Sequence, residues 1–168
     1  MVVTETDRLY LRRFTPDDAK AVFLLNSMPK ILSHLPGSPL KSVEEARQVI
    51  INVALPTYAE FDYGRWAVIH KQDERIIGFC GPKYLRCYNE VELAFRYLPE
   101  YWGQGFATEA ANAAMDVCKD YHLAGLMALV LPGNKEYEQV LKKIKMHETK
   151  RDYYLGYHVK IFHRLFNH

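Results

Sequence analysis

The stretch Leu98-Pro99-Glu100-Tyr101-Trp102-Gly103-Gln104-Gly105-Phe106-Ala107-Thr108-Glu109-Ala110 constrains the fold of this chain more than any other. The residues before it, Glu90 to Tyr97, alternate, with Val91, Leu93, Phe95 and Tyr97 on one face, and read as a strand. From Thr108 to about Tyr121, the residues Ala110, Ala111, Ala114, Val117, Cys118 and Tyr121 share one helical face. A strand therefore feeds a loop with two glycines, and the loop opens a helix. Such a junction turns several unpaired backbone N–H groups toward one point, and the helix dipole adds to them. A phosphate or pyrophosphate is the natural ligand. Gly103 and Gly105 admit it close to the backbone, and Ala107 keeps the last turn narrow. On glycine spacing alone, a tight turn that merely starts a helix fits equally well. A dinucleotide fingerprint needs a third Gly where Thr108 stands, and the Gly-Lys-Ser/Thr of a P-loop occurs nowhere.

The rest of the chain alternates strands and helices. Leu9 to Phe14 reads as a strand, and Thr15-Pro16-Asp17-Asp18 starts a helix that runs to about Asn26. Leu35 to Pro39 is a loop. Ser42-Val43-Glu44-Glu45 has a capping-box pattern, and its helix should continue to Leu55, where Pro56 disturbs it. Arg65–His70 and Ile76–Gly81 read as two strands joined by a charged turn, with Pro82 limiting the second strand's pairing. After the 108–121 helix come a buried strand, Leu126–Leu131, and a helix, Asn134–Ile144. Arg151–Leu155 and Tyr157–Phe162 form a closing hairpin about Gly156. With 168 residues and neither repeat nor linker, the expectation is one domain spanning 1–168.

Composition narrows the function classes. Lys and Arg total 22 against 20 Asp and Glu, so the net charge of +2 leaves no footprint for nucleic acid or an anionic membrane. No run of 18 apolar residues suggests a membrane span, and residues 1–7 do not suggest a signal peptide. Cys80, Cys87 and Cys118 are odd in number and lack CxxC spacing. They read as free core or pocket thiols in a reducing, cytoplasmic setting. Among seven histidines, His158 and His163 fall on opposite faces of a strand, and no metal site is expected.

The glycine stretch resembles the pyrophosphate-binding motif of GNAT acetyltransferases, in the branch that includes ribosomal-protein N-terminal acetyltransferases. The family pattern Gln/Arg-x-x-Gly-x-Gly/Ala falls on Trp102-Gly103-Gln104-Gly105-Phe106-Ala107, with Trp102 at the first position. Thr6-Asp7-Arg8-Leu9-Tyr10-Leu11-Arg12, Gly78-Phe79-Cys80-Gly81 and Glu90-Val91-Glu92-Leu93 extend the resemblance over nearly the whole chain. It implies an α/β fold: a mixed, mostly antiparallel sheet with helices on both faces. It also implies acetyl-CoA as cosubstrate and an amine as acceptor, either a protein N-terminus or a small molecule. The amides of Gly103, Gln104, Gly105, Phe106, Ala107 and Thr108 would hold the pyrophosphate. The main chain of Phe95, Arg96 and Tyr97 would pair with the pantetheine arm, in a gap between the strands of Phe95 and Leu129. Dimers are common in the family.

Acetyl transfer to an amine needs a proton acceptor for the ammonium and a proton for the leaving thiolate. By the resemblance, Glu92 stands where the family often keeps its base; Glu90 is the weaker candidate. The alternative is a solvated Glu92, or one paired with Arg96. The segment Asn134-Lys135-Glu136-Tyr137-Glu138-Gln139-Val140-Leu141-Lys142-Lys143-Ile144-Lys145-Met146 resembles the family's Asn-x-x-Ser-x-x-Val-Leu-x-x-x-Gly-Phe/Met. Asn134 matches and would contact the CoA arm. Tyr137 replaces a small Ser near the sulfur, where a phenol could serve as acid or crowd the arm. Lys145 replaces a Gly, so the helix end is expected to rearrange. These departures motivate a rival reading as a non-catalytic acyl-CoA-binding or regulatory protein. The basic run Lys142, Lys143, Lys145, Lys150 and Arg151 is either a solvated face or an attractor for the adenosine phosphate. Candidate pocket walls are Phe23, His34, Leu35, Tyr58, Trp66, Tyr84 and Tyr153.

Overall fold

The structure, a computed structural model, describes residues 1–33, 35 and 37–167. His34 lies outside them. The strands are β1 (Val2–Glu5), β2 (Leu9–Arg13), β3 (Trp66–His70), β4 (Arg75–Leu85), β5 (Glu90–Tyr97), β6 (Gly125–Val130), β7 (His147–Tyr154) and β8 (Tyr157–Leu165). The helices are α1 (Ala19–Leu25), α2 (Pro29–Leu32), α3 (Val43–Val49), α4 (Leu55–Phe61), α5 (Phe106–Lys119) and α6 (Lys135–Lys143). Among the described residues the strands form one sheet in the order β1-β2-β3-β4-β5-β6-β8-β7. Only β5 and β6 run parallel; every other neighbouring pair is antiparallel.

Helices cover both faces. On one face Ala110, Ala111, Ala114 and Met115 of α5 pack with Leu9, Leu11, Val68 and Leu93. On the other, Ala19 and Val22 of α1 and Ala46 of α3 pack with Ala67 and Ile69. This explains why β3 reads as an unbroken apolar run: Trp66, Ala67, Val68 and Ile69 are all buried, alternately toward the two helical layers. The small residues of α5 let that helix lie close to the sheet, directly after the glycine loop.

Three expectations change. The helix from Val43 does not stop at Pro56. It passes through a wide π turn, Ile50–Ala54, in which Leu55 N–H donates to Ile50 O, and continues as α4. The wider turn accommodates a residue that has no N–H of its own to give. Second, β4 runs past Pro82 to Leu85. It loses β3 after Cys80 but keeps β5 to its end, so the proline limits pairing on one edge only. Third, β1 pairs with β2 and was not visible as a strand, because Val2–Glu5 is too short to show a period.

Lys145 also departs from expectation. The end of α6 is not rearranged: Lys145 itself adopts φ 66°. Lys145 N–H donates to Lys142 O at 3.0 Å and Met146 N–H to Leu141 O at 2.9 Å. This is the Schellman pattern, with Leu141 and Met146 both buried beneath it. The chain keeps the left-handed cap and carries its cost on a side chain. Lys145→Gly should therefore raise the unfolding free energy by about 1 kcal/mol, read as a higher urea midpoint with unchanged slope. An unchanged midpoint would contradict this account of the cap.

Candidate active site

The site begins where β5 and β6 part. Their pairing rests on Glu92 and Met127, and the strands diverge toward their C-terminal ends. Leu98 N–H donates to Ile77 O of β4 at 2.8 Å. By alternation, the odd-numbered Phe95 and Tyr97 turn their peptide groups to the opposite edge, into the fork. Arg96 turns its own toward β4. Of the three residues expected to line the arm with main chain, two are so presented; Arg96 contributes its side chain instead.

The fork opens on a cavity of about 190 Å³, lined by residues that include Arg65, Phe79, Glu92, Ala94, Arg96, Leu129, Asn134, Tyr137 and Tyr154. Glu92, Ala94 and Arg96 share one face of β5, as their spacing requires. Glu92 is buried, and its Oε1 accepts from Arg65 Nη2 at 2.6 Å. Arg65 Nη1 also donates to Gly81 O at 2.9 Å and to Glu92 O at 3.3 Å. Neither expected alternative holds: Glu92 is not solvated, and its partner is Arg65 rather than Arg96. Lys83 faces Glu92 across the β4–β5 register. Burial, then the charge of Arg65, lowers the Lys83 ammonium below its ordinary value. Glu90 lies apart, 3.0 Å from His163 Nε2, and His163 also meets Thr149 Oγ1 through Nδ1.

Tyr137 reaches into the fork from α6. Its ring stacks on Phe95 with centroids 4.1 Å apart, and Phe95 N–H donates to its hydroxyl at 3.4 Å. Burial, then the negative charge of Glu92, raises the phenol above its ordinary value. That makes it a poorer proton donor than a free tyrosine, against the acid role expected for it. Asn134 caps α6 in backbone only; its side chain makes no cap bond and lines the cavity.

The glycine loop behaves as its sequence requires. Gly103 and Gly105 have φ 74° and 83°, and a Cβ on Gly103 would meet nothing within 4 Å. Their need is conformational, not steric. The first bond of α5 is Glu109 N–H to Gly105 O at 3.1 Å. The N–H groups of Phe106, Ala107 and Thr108 therefore lack helical acceptors and point out of the helix start, with Gly103, Gln104 and Gly105 just before them. This cradle and the open β5 edge suit a pyrophosphate with an extended amide-bearing arm. Two side chains occupy that edge, the Tyr137 hydroxyl at Phe95 N–H and the Trp102 indole at Tyr97 O, and each must yield its place to the arm.

Several partners of this loop were not evident from the sequence. Glu109 accepts from Thr6 Oγ1 at 2.5 Å, Arg8 N–H at 3.2 Å and Arg8 Nε at 2.8 Å. Arg8 Nη1 donates to Gln104 O at 3.0 Å, and its guanidinium lies 4.2 Å from the Phe106 ring centre. Against the cost of desolvation, these bonds hold the Glu109 carboxyl below its ordinary range. Trp102 Nε1 donates to Tyr97 O at 2.8 Å and ties the loop to the strand before it. The contacts of Thr6 and Arg8 join segments about a hundred residues apart, so no local pattern announces them.

The expected pocket walls mostly lie elsewhere. Leu35 lines the cavity, but Tyr58 and Trp66 are core. Phe23 packs with the α1–α3 layer and Tyr84 against Phe61. Tyr153 is exposed, and its neighbour Tyr154 lines the cavity, since one step along a strand exchanges faces. Cys80 is fully buried and its thiol is pushed up to about 12 by burial, which removes it as a nucleophile; Cys87 is exposed, not core. The basic run on α6 and β7 is exposed. Among the described residues no helix is long and apolar enough to cross a membrane.

A family model described as acetyltransferase (GNAT) domain matches residues 8–147. The uncharacterized protein YkkB of Bacillus subtilis (strain 168) is 30% identical over 149 residues, 86% of this chain and 85% of its own. A GNAT-family acetyltransferase from Bacillus anthracis superposes with a TM-score of 0.82 at 20% identity, covering 98% of both chains. A spermidine N-acetyltransferase from Vibrio cholerae, solved in complex with CoA and spermine, superposes with a TM-score of 0.79 at 20% identity, covering 95% of this chain and 96% of its own.

Glu92 is buried and Arg65 partly so, and removing the arginine leaves the carboxylate charge uncompensated. Arg65→Met should cost about 3 kcal/mol of stability, and adding Glu92→Leu should recover most of it. Urea unfolding of the parent, both single variants and the double variant closes the cycle. Additive losses would show that the pair contributes no coupling.

Proposed function

The chain belongs to the acetyltransferase (GNAT) family and is an N-acetyltransferase, and from that premise we propose that it transfers acetyl from acetyl-CoA to a primary amine by direct attack, within the fork between β5 and β6. The observation that supports this most is the alignment of three features along one path: the N–H cradle at Gly103–Thr108, the open edge at Phe95 and Tyr97, and the buried carboxylate of Glu92 at the end of the fork.

In this reading the pyrophosphate takes the amides of Gly103, Gln104, Gly105, Phe106, Ala107 and Thr108. The arm takes the fork-facing peptide groups of Phe95 and Tyr97, with Asn134 beside it. When bound, the cosubstrate supplies a thioester carbonyl. Glu92 accepts the proton of the acceptor ammonium, directly or through water; the neutral nitrogen then bonds to the acetyl carbon as the carbon–sulfur bond breaks, and the proton that this nitrogen sheds goes to the departing thiolate. Arg65 fixes Oε1, which leaves Oε2 for that proton. The cations Arg65 and Arg96 nearby disfavour the ammonium form of the acceptor and so favour the nucleophilic amine. Tyr137 acts by position: its ring occupies the fork and its hydroxyl moves aside as the arm takes Phe95 N–H. One domain over 1–168 carries all of these parts.

Gly105→Asp adds a side chain at φ 83° and a negative charge within the cradle. Calorimetric titration with acetyl-CoA should show binding weakened at least about tenfold, the scale of one lost charge-assisted contact. Unchanged binding in folded protein would remove the loop from the cofactor site. Glu92→Gln should lower kcat by about 10²–10⁴-fold, the usual worth of a general base, with little change in the KM for acetyl-CoA. Tyr137→Phe should retain most turnover, and Tyr137→Ser should bind acetyl-CoA more tightly. A collapse of kcat in Tyr137→Phe with intact binding would restore the acid role.

A further inference from the structure

Charge is not balanced on the cavity wall. Arg65 and Arg96 line it against Glu92, and Glu92 is already paired with Arg65. Arg96 has no ion pair among the described residues. Its Nη1 donates to Leu25 O at 3.4 Å and Asn26 Oδ1 at 2.5 Å, both neutral, and the guanidinium lies 5.3 Å from the Phe79 ring centre. Among the described residues its Nε is buried with no partner, and no bond engages Nη2. The Nε–Nη2 edge is the fork that takes a carboxylate in two parallel bonds. Burial, and then the like charge of Arg65, pulls the group down to about 10, so it remains a cation at neutral pH. A partly buried cation whose enclosed N–H is orphaned is costly unless something completes it.

Resting on the acetyltransferase reading above, we propose that the acceptor amine also carries a carboxylate, seated on the Nε–Nη2 edge of Arg96 while its amine meets Glu92. The acceptor class is that of small amino acids. Glu92 and Arg96 lie on one face of β5, with Cα atoms about 13 Å apart along the strand. Both side chains line the one cavity, with Ala94 between them. The cavity, about 190 Å³ and shared with the cofactor arm, leaves room for a small acceptor only. Arg65 and Arg96 on the cavity wall repel a polycation, so a polyamine is the disfavoured acceptor. A purely structural clasp on the end of α1 accounts for Nη1 and leaves the other edge unexplained.

The test uses the full chain, acetyl-CoA and a panel of small amino acids, each beside its own carboxamide, with spermidine as the polycation. Acetyl-CoA binding is measured first by calorimetry. The parent should prefer at least one amino acid over its carboxamide by about 100-fold or more in kcat/KM, the worth of leaving a charged partner unpaired. Arg96→Met should collapse that ratio toward one, chiefly through KM for the amino acid. Arg96→Lys, which keeps the charge without the fork, should fall between. A ratio near or below one in the parent, acetylation of spermidine alone, or no acetylated amino acid despite intact acetyl-CoA binding overturns the proposal and leaves the acetyltransferase reading standing. A ratio that survives in Arg96→Met overturns the role of Arg96. No acetyl-CoA binding in folded parent protein overturns the acetyltransferase reading itself, and this proposal with it. The parent's ratio decides the acceptor class even if the variants fail to fold.

Discussion

Beyond the Glu92–Met127 pair, β5 and β6 part, and the peptide groups of Phe95 and Tyr97 lose the neighbour that an interior strand normally has. Backbone groups inside a protein need partners. Here Tyr137 takes Phe95 N–H and Trp102 takes Tyr97 O. Both are side chains, so both can give way without unravelling the sheet. The fork is thus a place where the fold holds its backbone groups provisionally, and a ligand with amide groups of its own can replace these partners one for one. The parallel β5–β6 pair makes such an opening possible, because its connection runs through the glycine loop and α5 rather than a tight turn.

The glycine loop depends in turn on the far end of the sheet. Thr6 and Arg8 meet Glu109 in the first turn of α5, and Arg8 also holds Gln104 O. An acid at a helix start is favourable, but an acid beside a phosphate is not. The Arg8–Glu109 pair offsets that charge while keeping its anchoring bonds. The β1–β2 segment thereby sets the position of the cradle, and the Thr-Asp-Arg stretch at its turn contributes to the site from about a hundred residues away.

Electrostatics distinguishes the two walls of the cavity. At one end Arg65 takes one oxygen of Glu92 and leaves the other available. At the other end Arg96 is held, among the described residues, by neutral acceptors and an aromatic face. Buried charges are normally paired on both sides. The asymmetry follows from the alternation of β5, which places an acid and a base four residues apart on one face, and from a third residue, Arg65, that reaches the acid first.

The sequence by itself determined the strand–glycine loop–helix junction, the alternating face of β5, the small-residue face of α5 and the family resemblance that these carry. Each is local: a period of two, a period of about 3.6, or a backbone conformation that glycine adopts without strain. It misjudged Lys145, because nothing in a single sequence shows that a lysine will take the left-handed cap when Leu141 and Met146 bury themselves beneath it. Only the tertiary structure decided that Arg65 rather than Arg96 pairs with Glu92, that Tyr154 rather than Tyr153 faces the cavity, and that Tyr137 lies across Phe95. Those outcomes depend on which side chains from distant segments reach one enclosed space, and that competition is settled by packing, which has no period in the chain.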